Sequence, residues 1–335
     1  MQDRILFGLA VLVLVFAVFG LFREKAAAKN AVITLVFNHN WEGREEILKT
    51  LKDEYELQNR NIRININYVL YNELSGSPGS ATASCDIIAV DATAMYQLKQ
   101  KEPDTETYIL LKFLYPLYYN TEILAEAGFN RPPKTRTEFL AQARKVTNAE
   151  SGVHAIAIDT ENQLADSDIL PWVIAGGTSA ADNNIFNREL AAAQDFFNKL
   201  KNEGMLLESL PGADKRKQAF IEGKTAFFIG SAKDMELLKL NMGEKLNYSA
   251  IPAPDAYAGK PFFCSGSWVL SVTEQSKHKN EARSFIDFLL ENSFALAGGW
   301  AIPENGNPAD VQDPFYYKAR EFYISGELVP VSAAR

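Results

Sequence analysis

Metal-ligating residues are scarce in this chain, with three histidines and two cysteines among 335 residues. His39, His154 and His278 stand far apart, and none has a second histidine at the i+3 or i+4 spacing of a zinc site. Cys85 and Cys264 form neither a CxxC pair nor a metal-ligand spacing. They could form a disulfide in an oxidising compartment or remain two buried thiols, and the sequence leaves both open. No G-x-S-x-G nucleophile elbow is present. Gly223-Lys224-Thr225 imitates the end of a phosphate-binding loop, but the position that requires its first glycine holds Gln218. No block of five Lys or Arg occurs and the net charge is −8, which excludes a nucleic-acid surface built on concentrated positive charge. The carboxylates show no spacing that demands acid/base work. The expectation is a protein that is no enzyme and holds neither cofactor nor metal.

Apolar residues are abundant and organised. Ile5 to Phe22 form an unbroken apolar run that, as a helix, would span roughly 27 Å, about the hydrocarbon thickness of a bilayer. Ala26-Ala27-Ala28 could end a secretory signal. The charges at Arg23, Glu24 and Lys25 and the length of the run favour an uncleaved anchor. Residues 5–22 are therefore expected to tether the chain to the cytoplasmic membrane, with a cleaved, secreted form as the alternative. The positive-inside rule alone would put the body in the cytoplasm.

The chain is longer than one core usually fills, so two lobes are expected. Ala31–Phe37 reads as a buried strand, and Ile47, Leu48, Leu51 and Tyr55 mark one face of a helix. Ile62, Ile64, Ile66 and Tyr68 share one side of a second strand, and residues 86–90 form a third that ends at Asp91. That order opens an α/β fold with a parallel sheet. Residues 76–84, rich in Ser, Gly and Pro, form a connection. Further on, Val153–Ile158 reads as a strand, Leu190, Ala193, Phe197 and Leu200 mark a helix ended by Gly204, and Ala282, Phe285, Ile286, Leu289 and Leu290 mark another.

Residues 117–147, LYYNTEILAEAGFNRPPKTRTEFLAQARKVT, are the most informative stretch. Asn120 and Thr121 can cap a helix that Gly128 ends and Pro132-Pro133 forbid from continuing. Thr135 with Glu138 reads as a capping box for the next helix. With AFIEGKTAFFIG at 219–230, YSAIPAP at 248–254 and GGWAIP at 298–303, this resembles the family 1 extracellular solute-binding proteins of ABC importers, the group that includes maltose-binding proteins. The resemblance implies a two-lobed periplasmic-binding-protein fold with a hinge, preceded by the hydrophobic segment 1–30. Lobe one would be 31–114 plus 256–295, and lobe two 115–255 plus 296–335. It also implies a monomer that carries a small solute, most plausibly a sugar, to an ABC permease. A different class is an interaction or sensory protein that keeps the fold without transport.

Three departures bear on that implication. Only Ala92–Leu114 fills a stretch that is longer in the family, so the first lobe reads as trimmed. Arg136 stands where the family often has tryptophan, a change expected to alter packing more than chemistry. Gly230-Ser231-Ala232 lacks an aromatic residue that stacks on sugar in many relatives.

Ligands of two-lobed α/β receptors sit at the carboxyl ends of strands. The candidates are Asn40, Trp41 and Glu42 after the first strand, Asp91 after the third, and Asp168 and Trp172 after the Val153 strand. Ser231, Trp268 and Trp300 complete the set. Tryptophan faces suit the C–H surface of a sugar, and Asp, Asn and Glu suit its hydroxyls. Each has a plainer alternative: Trp172 and Trp268 as core residues, Asp91 as a helix cap. His39 reads as a solvated loop residue.

Overall fold

The computed structural model describes residues 32–41, 43–69, 85–91, 95, 106–158, 166–176, 183–208, 210, 212–257, 262–297, 301–303 and 327–330. The expected anchor, the 76–84 connection, Glu42 and Trp300 lie outside the described residues. Among those residues, no helix is long and apolar enough to cross a membrane.

In chain order the elements are β1 (Ile33–His39), α1 (Glu45–Gln58), β2 (Ile62–Tyr68), β3 (Ile87–Asp91), β4 (Thr107–Leu114), β5 (Leu117–Asn120), α2 (Thr121–Glu126) and α3 (Arg136–Val146). Then come β6 (His154–Ala157), α4 (Asp166–Ala175), α5 (Asn183–Asn202), β7 (Leu206–Leu207), α6 (Ala213–Ile221), β8 (Thr225–Ile229), α7 (Met235–Met242) and β9 (Leu246–Ser249). β10 (Phe262–Val272), α8 (Lys279–Glu291), α9 (Ser293–Ala297), β11 (Ile302–Pro303) and β12 (Glu327–Pro330) complete the order. The strands fall in two sheets, and the chain divides into two compact units, Met1–Ala89 with Ser271–Leu289, and Val90–Leu270 with Leu290–Arg335.

In the first unit, β1 lies between β2 and β3, parallel to both, as the strand–helix–strand pattern requires. The buried face of α1 is Leu48, Leu51 and Tyr55, the helical spacing read from the sequence. Tyr55 lies 4.9 Å from Phe285 of α8, which meets Phe37 of β1 edge-on at 5.9 Å, so both helices cover the same face of the strand. Asp86 fastens the start of β3. Its carboxylate accepts the Val36 N–H at 2.9 Å and the Ser276 hydroxyl at 2.6 Å.

The second unit carries the five-stranded sheet β7-β6-β8-β5-β9. β6 runs parallel to β7 and β8, and β5 antiparallel to β8 and β9. The caps read from the sequence set its helices. Asn120 accepts the N–H groups of Glu122 at 3.0 Å and Ile123 at 3.3 Å. Gly128 follows α2 at φ 85°, a conformation that a residue with Cβ adopts at a cost. Thr135 accepts the Glu138 N–H at 3.2 Å, but Glu138 does not complete the box. Its carboxylate takes two bonds from Arg131, at 2.8 and 2.9 Å, and the Lys134 N–H at 2.8 Å. Those bonds, the Arg131 one first, hold the Glu138 carboxyl down at about 2.

The core of this unit is aromatic. Trp172 sits 5.1 Å from Phe139, 5.0 Å from Phe196 and 5.3 Å from Phe197. Arg136, the first residue of α3, is buried against the same cluster. Its guanidinium donates to the Trp172 carbonyl at 2.7 Å, and its Cζ lies 5.8 Å from the Phe196 ring centroid. Burial lowers the Arg136 pKa, and the carboxylate of buried Glu189 pulls it back up. Arg136 therefore puts a charge into a packed core.

Two elements escape the sequence reading. β4 occupies the stretch that looked merely trimmed, with Leu110, Leu111, Phe113 and Leu114 all buried and no alternation to reveal it. α4 contains Pro171, a residue that normally interrupts a helix interior. Neither cysteine is in a disulfide; both are buried thiols, and burial pushes the Cys264 thiol up.

Candidate ligand-binding site

β1 runs two residues beyond its apolar stretch, which corrects the reading of His39. His39 is the last residue of the strand, paired with Tyr68 on one side and Ala89 on the other, and is 1% exposed rather than solvated. Its Nδ1 accepts the Trp41 N–H at 3.2 Å, which places the imidazole proton on Nε2. Burial drops its pKa from 6.5 to about 4 against the pull of Glu45, so the ring is neutral at pH 7. A depressed folded-state pKa makes stability fall with acid. Between about pH 6.5 and pH 4 the unfolded chain binds a proton that the folded one refuses, a loss of about 3 kcal/mol when complete. In urea titrations at several pH values, His39→Phe is expected to remove this part of the acid sensitivity. Parallel pH profiles for the two proteins would contradict it.

The next two residues are held firmly. The Asn40 N–H donates to the Ala89 carbonyl at 3.2 Å, and its side-chain Oδ1 is buried without a hydrogen-bond partner. Trp41 is fully buried, 6.0 Å from Phe37 with the rings edge-on and 6.1 Å from His39. Beside them Asn67 donates to Asn38 at 2.9 Å. Asp91 ends β3.

In the second unit, Ser231 follows β8 and is 4% exposed. Its N–H donates to Asp234 at 2.9 Å and its carbonyl accepts the Tyr118 hydroxyl at 2.8 Å. Asp234 also bonds Lys217 at 2.8 Å. Burial alone would lower the Lys217 pKa, but the Asp234 and Asp214 carboxylates outweigh it and raise it. The turn after β8 is thus braced from both sides. Asp168 lies in α4. Trp172 is fully buried in α4, and Trp268 of β10 is 2% exposed, 6.1 Å from Phe113. The three described tryptophans are buried in packed cores.

The sequence reading took Tyr68 only as a strand position. It shares the face of Ile62 and Ile64, which are buried, yet it is 49% exposed and stands edge-to-face with His39 at 5.7 Å. The signal available was its place as the last apolar-face position of β2. Among the described residues no cluster of three or more His, Cys, Asp or Glu is arranged to hold a metal.

Known proteins resemble this chain in sequence and in fold. A "Probable ABC transporter-binding protein" of Deinococcus radiodurans is 26% identical over 191 residues, 52% of this chain and 44% of that protein. The "Diacetylchitobiose binding protein DasA" of Streptomyces coelicolor is 26% identical over 192 residues, 52% of this chain and 43% of that protein. The matches thus span less than half the length of either relative. The GacH receptor of Streptomyces glaucescens, solved unliganded and with acarbose, shares the fold at a TM-score of 0.71 and 15% identity, covering 90% of this chain and 89% of that one. Lmo0181 of Listeria monocytogenes, solved with cycloalternan, gives a TM-score of 0.68 at 15% identity, covering 89% and 88%. The two sheets with helices are therefore the α/β architecture of maltose-binding-protein-like, two-lobed structures. The family model described as "Bacterial extracellular solute-binding protein" matches residues 41–294, most of the chain, and the protein belongs to that family.

Proposed function

We propose that this protein is the extracytoplasmic substrate-binding component of an ABC importer. It captures a small carbohydrate between two lobes, 31–114 with 256–295 and 115–255 with 296–335, and delivers it to a membrane permease without chemical change. Residues 5–22 tether it to the membrane, and it acts as a monomer. The family match over residues 41–294 carries this reading. The diacetylchitobiose-binding relative and the oligosaccharide complexes of proteins with the same fold support a sugar as the solute. Closure on the ligand would follow from contacts that both lobes make only when shut.

A thermal-shift panel tests it. The full chain in a sugar-free detergent is mixed with maltose, mannotriose, diacetylchitobiose, polyols and amino acids. A ligand that binds only the folded form at a hundred times its Kd adds about 2.7 kcal/mol, so at least one saccharide is expected to raise the melting temperature. A rise with an amino acid alone would move the assignment to another solute. No rise across the panel would contradict the receptor reading.

A further inference from the structure

We infer that the amino edge of the first unit, where β1 and β2 begin, is a membrane-contact surface. Val32 and Leu57 meet the headgroup layer of the bilayer that holds residues 5–22, and Arg60 and Arg63 meet its phosphates. The inference rests on the tether proposed above and goes beyond it, since a tether alone leaves the body free to face any way. Both strands start at this edge, because the Ile33 N–H donates to the Asn61 carbonyl at 2.8 Å and Ile33 pairs with Ile62. Val32 stands one residue before β1, and Leu57 lies in the last turn of α1, which residues 59–61 join to β2. These two side chains are 59 and 77% exposed, while α1 packs inward through Leu48, Leu51 and Tyr55. Single exposed apolar residues are ordinary. What sets these two apart is their place, where the chain arrives from the apolar run.

Residues 23–32 separate that run from β1 and reach at most about 36 Å when extended. A link of that length holds the edge near the bilayer at an effective concentration on the order of millimolar, so contacts too weak to recruit a free protein suffice. Arg60 is exposed and makes no ion pair among the described residues. Arg63 donates from Nη1 to the Ile62 carbonyl at 2.7 Å, and its side chain is half exposed. The carboxylate at this end, Glu56, is already engaged: it accepts the Ile64 N–H at 2.8 Å and faces Lys52 at 3.5 Å. Arg60 is thus free for a lipid phosphate, which a guanidinium matches with two donors, and Arg63 adds positive charge beside it. The opposite end of α1 carries the exposed acids Glu45 and Glu46, which an anionic surface repels. Apolar contact, cations and acids all set the amino edge down on the bilayer. The carboxyl ends of β1, β2 and β3, where solutes of such folds bind, are then turned away from it.

The full chain in nanodiscs of phosphatidylcholine and phosphatidylglycerol tests this. A nitrobenzoxadiazole fluorophore is placed on Gln58→Cys or, about 18 Å away along α1, on Glu46→Cys. Both positions are exposed, and the native thiols are buried. A lipid with a nitroxide headgroup is expected to quench the label at 58 at least about twice as strongly as the label at 46. Leu57→Asp and Arg60→Glu, each combined with Gln58→Cys, are expected to bring that quenching down to the level at 46. Both side chains are exposed, so the melting temperature should stay at the parent value. Equal quenching at 58 and 46 in a chain that stays on the disc would overturn the surface and leave the tether standing. Quenching at 58 that survives both substitutions would overturn the assignment to these residues. Protection of the label at 58 from aqueous iodide without quenching from the lipid would overturn it in favour of contact with a second chain. If the chain leaves the disc during gel filtration, tether and surface fall together and the receptor reading is untouched.

Discussion

Arg136→Ala is expected to lower the unfolding free energy by about 2–3 kcal/mol in a urea titration. Three losses combine in that figure. The Trp172 carbonyl loses its guanidinium donor, the Phe196 face loses its cation, and the Glu189 carboxylate loses the attraction of a nearby positive charge. Arg188 still reaches Glu189 at 3.0 Å, but its side chain is 61% exposed, so that contact offsets little. Arg136→Met keeps the apolar bulk of the stem and should lie closer to the parent stability than Arg136→Ala does. If Arg136→Ala costs less than about 1 kcal/mol, Arg136 is not a working part of this core.

Trp172→Ala is expected to cost more, about 3–5 kcal/mol, because it empties a fully buried indole site among Phe139, Phe196 and Phe197. Trp172→Phe should recover much of that loss. The split between stability and binding identifies the role of the residue. A core tryptophan lowers the urea midpoint and leaves sugar affinity of the folded protein near the parent value. A tryptophan that stacks on ligand would do the reverse, with affinity lost in a protein of normal stability.

Local chemistry made much of the second unit readable. Asn120, Gly128 and Thr135 act where their side chains or missing Cβ act in any helix terminus, so their spacing located α2 and α3 directly. Periodicity did the same for α1 and α8. The parts that stayed hidden depend on distant partners. β4 is buried without alternation, so no period marks it, and α4 carries Pro171, which argues against a helix when read alone. His39 reads as a loop residue until β2 and β3 are seen to flank it. The site suffers most from this. Tryptophan next to polar residues has the composition of a sugar platform, yet Trp41 is buried against Phe37 and His39.

Receptor function by closure is tested most directly by a distance between the lobes. Spin labels placed on exposed Lys49 of α1 and Asn198 of α5 report on the two parts, and the native thiols are buried. On saturation with a sugar that raises the melting temperature, the distance distribution is expected to shift as a whole to shorter values and to return when the sugar is removed. A distribution unchanged at saturation would contradict a receptor that shuts on its solute.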